Sequence, residues 1–312
     1  MASRNLARLA LAMAAVAPFA APHRASATEA AAGHYIIGTY SAPAAGVVPP
    51  EPGLYWGSST LYYNGTMGRT AQVPIAGQLK SGLEAGFFST SFAALYVPRL
   101  DWGNFTLAMG VTLPVQNLDS RVFLGQRGIS ENNWSFGDMV ITPVQLGYRS
   151  GQDFFQARLD VFAPTGNYST SSIANVGMNY WTFVPTLAYT RLGANYDISV
   201  NLGVDINTRN TATDYTSGAM LHVDTSFIHD VAPGFGLGII AAMMYQIEDD
   251  RGGIAARLNG FRGRSFAVGP IARYNFKIGN ASLSTMLSWA PEFGVENRPS
   301  GNAFQFRISG RF

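Results

Sequence analysis

The chain contains no cysteine, so neither a disulfide framework nor a thiolate metal site is open to it. Charge is scarce as well. Asp, Glu, Lys and Arg make up 13% of the 312 residues, against about 25% in an ordinary soluble protein, so much of the surface has no need to meet water. Yet mean hydropathy is only +0.08, which is too low for a bundle of membrane-spanning helices. No Walker loop, G-x-S-x-G elbow, H-E-x-x-H pair or EF-hand loop occurs, so the sequence announces no cofactor or metal site. A formal net charge of +2 gives no sign of a nucleic-acid surface.

The first residues read as a leader. Arg4 and Arg8 precede a short apolar core over residues 9–21, and Ala25-Ser26-Ala27 supplies an A-x-A cleavage pattern. A secretory signal peptide over residues 1–27 is therefore expected, with the mature chain starting near Thr28. The apolar core is well short of the ~20 residues a spanning helix needs. Losing Arg4, Arg8 and Arg24 with the leader leaves the mature chain close to neutral.

Residues 28–53 show no strand periodicity and carry Pro43, Pro49, Pro50 and Pro52. Proline removes a backbone donor, so this segment cannot enter the middle of a sheet. Its Tyr35, Ile36, Ile37 and Tyr40 are apolar enough to want cover. The segment is expected either to plug a lumen or to wait as a tail for a partner.

What is abundant is glycine, at 34 residues, and aromatics, at 12%. From residue 54 onward, apolar and aromatic segments alternate with Gly, Asn, Asp and Pro breaks. Twelve strands are expected, over residues 54–64, 82–97, 104–115, 137–149, 153–163, 175–190, 195–207, 214–229, 235–248, 264–277, 280–290 and 302–312. Several alternate with period two, as a strand with one apolar and one polar face must. In the seventh, Ile198, Val200, Leu202, Val204 and Ile206 oppose Asp197, Ser199, Asn201, Asp205 and Asn207. The ninth, by contrast, is apolar on both faces.

Connections after even-numbered strands are mostly short, and those after odd-numbered strands are mostly longer. Short turns on one side and long loops on the other mark an outer-membrane barrel. The fold class expected is thus all-β: one closed antiparallel transmembrane barrel over residues 54–312, with apolar residues toward lipid and polar residues inward. Tyr55, Trp56, Tyr62, Tyr63, Tyr96, Trp102, Trp134, Tyr180, Trp181, Tyr189 and Trp289 fall near strand ends, as interfacial girdles do.

The chain's last strand alternates Phe304, Phe306, Ile308, Gly310 and Phe312 with polar residues. It resembles the closing strand of bacterial outer-membrane barrels, which implies that Phe312 is a signal to the barrel-assembly machinery. Three stretches carry a narrower resemblance: Pro49-Pro-Glu-Pro-Gly-Leu-Tyr-Trp-Gly57 running into Leu61-Tyr-Tyr-Asn64; Phe136-Gly-Asp-Met-Val-Ile-Thr-Pro143 with Leu146-Gly147; and Ala163-Pro-Thr-Gly-Asn-Tyr168 before Asn175-Val-Gly-Met-Asn-Tyr-Trp181 and Pro185. Together with Gly33-His-Tyr35 they resemble the MetA-pathway of phenol degradation family. The resemblance implies a barrel in the outer membrane of a Gram-negative bacterium, lying in lipid and linked to uptake of small hydrophobic or aromatic solutes. It transfers no catalytic or ligand-binding residue.

The polar parity supplies the candidate lumen lining: Arg158, Asp160, Asp197, Asp205, His222, Asp224, Arg273, Lys277 and Arg307. A wet channel and an internal ion-pair network account for these mixed charges equally well. His222, Asp224 and Ser226 also share one parity, which opens an enzymatic alternative acting on lipid or peptide. Positions two apart on a strand sit about 6.5–7 Å from one another, too far for a triad without partners from a neighbouring strand. Glu248, Asp249 and Asp250 could hold a divalent cation or form an ordinary solvated loop. The function expected is passive transport; the alternatives are an outer-membrane enzyme and a structural barrel with a filled lumen.

Overall fold

The computed structural model describes residues 33–124, 127–252, 254–255, 258, 261–279 and 281–311. The expected leader and the expected assembly signal, Phe312, both lie outside the described residues.

Among the described residues fifteen strands follow one another: β1 (Gly53–Ile75), β2 (Gln78–Val97), β3 (Phe105–Leu124), β4 (Arg127–Phe136), β5 (Met139–Ser150), β6 (Asp153–Ala163), β7 (Thr182–Leu192), β8 (Tyr196–Asn207), β9 (Arg209–Asn210), β10 (Tyr215–Thr216), β11 (Met220–Ala232), β12 (Phe235–Gln246), β13 (Arg264–Ile278), β14 (Ala281–Glu296) and β15 (Ser300–Arg311). β9 and β10 form a small ribbon outside the main sheet. β4 and β5 both pair with β3, one with its outer half and one with its inner half, so they are two halves of a single barrel strand broken at Gly137-Asp138. Every remaining neighbour pair is antiparallel, and β1 pairs with both β2 and β15. The sheet closes on itself as a twelve-stranded barrel through the β1–β15 and β2–β3 pairings.

Side-chain alternation follows the pleat. On β8, Leu202 is 40% exposed on the outer face while its neighbour Asn201 is 2% exposed on the inner face. Outward Phe92, Leu113, Leu187, Leu237, Ile239, Val268, Leu287, Phe304 and Phe306 are all exposed and together cover the outside with apolar surface. At the short-turn end, Phe105, Tyr148, Phe155 and Tyr189 run from strand to strand with ring centroids 4.8, 6.3 and 5.2 Å apart. An unbroken aromatic arc of this kind suits the polar–apolar boundary of a bilayer.

Three expected loops prove to be sheet. Residues 65–81, 116–136 and 291–301 mostly continue β1, β2, β3, β4 and β14 beyond the apolar belt. Outside the hydrocarbon layer no face has to be apolar, so Asn64, Thr66, Arg69 and Gln72 can sit on a strand and still resemble a loop. The β1–β2 hairpin turns only at Ala76-Gly77, both with positive φ. The sixth and eighth expected strands start too early: residues 175–181 and 217–219 belong to connections, and the strands begin at Thr182 and Met220. The aromatic and apolar residues there, such as Tyr180 and Val176, are buried by folding over the barrel rather than by pairing in it.

β12 explains its two apolar faces. Leu237 and Ile239 point outward, while Ile240, Ala242 and Met244 are buried in a cluster with Tyr35 and Ile37 from the N-terminal segment.

Candidate functional site

The N-terminal segment lies inside the barrel. Near Gly53 it is fixed by Arg311, which bonds the Glu51 carboxylate and donates from Nη2 to the Pro52 carbonyl at 2.8 Å. Val48 packs with Val97 and Ala108. From there the chain rises along β7, β8 and β11 in two tight turns, closed by Val47 N to Ala44 O and Ser41 N to Gly38 O. Its far end reaches the outer rim. There the His34 ring nitrogens lie 2.8 Å from Thr182 Oγ1 and 2.9 Å from Asp138 Oδ2.

Proline-rich backbone cannot join a ladder, so its polar groups are met by inward side chains. Asp197 accepts from Ala44 N at 2.9 Å, Thr190 from Gly46 N at 2.8 Å, and Gln156 donates to Ala45 O at 3.2 Å. A Cβ on Gly46 would fall 2.7 Å from the Thr190 backbone nitrogen, so only glycine lets the segment lie this close to the wall.

Higher up, Asp224 accepts from the Tyr35 hydroxyl at 2.9 Å and from Ser41 Oγ at 3.0 Å. The buried His222 ring stacks on Tyr35 with centroids 4.3 Å apart and on Tyr40 at 5.2 Å. Its Nε2 lies 3.3 Å from Asp205 and its Nδ1 3.7 Å from Asp224. Gly203, directly opposite on β8, makes the space for this ring, since a Cβ there would overlap the imidazole. Burial first, and then the Asp224 charge, push the Tyr35 phenol well above its ordinary range; burial and Asp160 do the same to Tyr40. Both phenols stay protonated, and that of Tyr35 donates to Asp224.

These contacts account for the three residues of the enzymatic alternative. Ser226 Oγ donates to Ala42 O at 3.1 Å, away from His222, and Asp224 is occupied by Tyr35 and Ser41. The three hold the N-terminal segment.

The other candidates divide in the same way. Asp197 also meets Arg273 at 3.3 Å, and Arg273 pairs with Asp230 as well. Asp205 sits beside His222. Arg158, Asp160, Lys277 and Arg307 instead line an open cavity of about 1670 Å³. In the acidic loop, Glu248 faces Arg251, Asp249 bonds Arg262, and Asp250 receives Gly218 N and Gln246. Each of the three carboxylates is thus turned to a different protein partner.

The cavity lies between the N-terminal segment and the opposite wall. Ser59, Ser89, Ser91, Ala93, Gly110 and Thr112 from β1–β3 line it with small side chains. It extends from Ile75, Leu83, Ile173 and Val176 at the outer end to Lys277, Ala281 and Arg311 at the short-turn end. The outer end is covered by an apolar cluster that includes Val73, Ile75, Leu83, Val122 and Phe261.

Asp138 and His34 were not candidates on parity grounds. Asp138 sits at the break between β4 and β5, where it also accepts from Gly166 N and Met178 N at 2.8 Å each. The signal was Gly137-Asp138 within an otherwise apolar run, a pair that interrupts the strand and turns a carboxylate inward.

Residues 66–308 match the family model described as "Putative MetA-pathway of phenol degradation". No curated relative matches the chain. Among solved structures, an outer membrane channel from Pseudomonas putida F1 superposes with a TM-score of 0.67 at 21% identity, covering 88% of this chain and 98% of that one. The transport unit of the autotransporter AIDA-I from Escherichia coli gives a TM-score of 0.49 at 7% identity, covering 84% and 91%. A Pseudomonas aeruginosa FadL homologue gives a TM-score of 0.43 at 10% identity, covering 95% and 99%.

Proposed function

The chain belongs to the MetA-pathway of phenol degradation family, and on that footing we propose that this outer-membrane barrel is a passive channel for small hydrophobic or aromatic compounds. The observation that carries the reading is the cavity, which runs between the two ends of the barrel and is lined mostly by apolar and small hydroxyl side chains. A plain structural barrel would have filled this space with its own residues, as eight-stranded barrels do. Solute is captured beneath the apolar outer cover, moves down the β1–β3 wall, and leaves past Lys277 and Arg311 into the periplasm.

In this reading the segment over residues 33–52 is the gate. Its contacts with the wall are side-chain hydrogen bonds, ring stacks and apolar packing, with no ladder pairing among the described residues, so it can shift without unzipping the barrel. Deleting residues 33–52 should raise single-channel conductance in planar bilayers while insertion is retained. Unchanged conductance in a folded deletion would reject the gate.

Delivery belongs to the same proposal. The leader exports the chain, and the assembly machinery then reads Phe312 and places the barrel in outer-membrane lipid. Phe312→Asp should leave most of the protein in the periplasm, and fractionation showing normal membrane levels would rule that signal out.

A further inference from the structure

We propose that Arg158 and Arg307 form an anion subsite in the cavity, so that the preferred solute is an aromatic compound bearing a carboxylate rather than a plain hydrocarbon. The inference rests on the channel reading and adds the chemical class of its solute.

The charges facing the cavity are unequal. Its wall carries five basic side chains, Arg158, Lys277, Arg298, Arg307 and Arg311, against three acidic ones, Glu51, Asp138 and Asp160. Each acid is already engaged: Glu51 by Arg311, Asp138 by His34 and two backbone amides, Asp160 by Arg158 and the Thr142 hydroxyl. Arg298 faces Glu292 at 3.7 Å. Among the described residues, Arg307 makes no ion pair. It bonds the Thr39 carbonyl, and the Gln305 amide, turned to its favourable orientation, offers its oxygen at 3.0 Å to Arg307 Nε and Nη2. Neutral acceptors orient this guanidinium without cancelling its charge.

Arg158 is only half matched. Its Nε meets Asp160 at 2.9 Å, while its Nη2 is buried and has no hydrogen-bond partner. Both arginines line the one cavity, and the Tyr40 ring, next in the chain to the Thr39 carbonyl that Arg307 bonds, lies 5.3 Å from the Arg158 guanidinium. Asp224, the next carboxylate from Arg307, is closed off by Tyr35, Ser41 and His222.

Where a guanidinium is buried in the wall, as Arg158 Nη2 is, uncompensated charge is costly. A guanidinium fork fits a carboxylate better than a chloride or an alcohol, because two donors meet two oxygens. The Tyr40 ring beside Arg158 offers a face to the ring to which such a carboxylate is attached.

Calorimetry on the full mature chain in detergent, with benzoate, benzyl alcohol and benzylammonium as probes, tests this directly. Benzoate should bind about tenfold more tightly than either of the others, the size of one charge-assisted hydrogen bond. Arg307→Gln should erase the difference and Arg307→Lys should keep part of it. Because Arg158→Gln alone would strand Asp160, the second variant is Arg158→Gln with Asp160→Asn, which should also weaken benzoate selectively. Equal binding of all three probes by the wild type would overturn the subsite. So would an Arg307→Gln effect shared by all three, which would show that Arg307 only tethers Thr39. Conductance of benzenesulfonate and phenyltrimethylammonium in planar bilayers reads the channel separately. A benzoate preference without conduction would reject the channel and keep the subsite, whereas conduction without the preference would do the reverse.

Discussion

The two sides of the lumen are built from the same ladder and differ only in what projects inward. On β7, β8 and β11 the inner face carries Thr182, Thr186, Thr190, Asp197, Ser199, Asn201, Asp205, His222, Asp224 and Ser226, all buried. On β1–β3 it carries serines, alanine, glycine and threonine that face open space. The first side has the donors and acceptors that an unpaired, proline-rich backbone needs, and the N-terminal segment lies there. The second has little to offer a peptide, and space remains. A polar inner wall is therefore no sign of a water-filled pore; here it is the side that is closed.

The largest effect expected from this contrast separates outside from inside. Leu202→Arg places a charge on the lipid face of β8 and should destabilise the barrel by roughly 2–4 kcal/mol. Ser91→Arg, inward on β2 beside the cavity, should cost less than about 1 kcal/mol, because the guanidinium can extend into open space and keep its water. It should still reduce conductance by occupying the route. Denaturant titration in lipid vesicles measures both costs. Equal losses would mean that the β1–β3 side is packed as tightly as the other.

The same contrast shows what the sequence could reveal. Parity on β8 was legible because hydrocarbon tolerates only apolar side chains, so Leu202 and Asn201 could not exchange faces. That constraint stops at the membrane boundary, which is why the outer parts of β1, β3 and β14 resembled loops. Asp197, His222 and Asp224 were legible as inward residues, but their partners were not. Tyr35, Ser41 and Ala44 lie more than 150 positions away in sequence, and no periodicity links a strand to an irregular segment across a lumen. Met244 and Ile240 made β12 ambiguous for the same reason. They pack on Tyr35 and Ile37, an apolar partner that local pattern cannot anticipate. Gly203 was visible as a glycine and silent about the imidazole it accommodates.

Tyr40 stands on the border between the two sides, and it sharpens the comparison most finely. Its ring stacks on Tyr35 at 5.9 Å and His222 at 5.2 Å, within the packed side, and faces Arg158 at 5.3 Å, on the cavity. If ring faces hold the border, Tyr40→Ala should cost about 3 kcal/mol, from two ring pairs and a cation–π contact each worth about 1 kcal/mol. It should also raise conductance, since the cavity would then reach the His222 ring. Tyr40→Phe keeps every ring contact and loses only the hydroxyl, so stability should stay within about 0.5 kcal/mol of wild type, with conductance unchanged. The pair of variants is read by the same denaturant titration and the same bilayer recording. A Tyr40→Phe channel as open as Tyr40→Ala would place the border in the hydroxyl instead. The segment would then be held at this point by hydrogen bonding, as it is at Asp197 and Thr190.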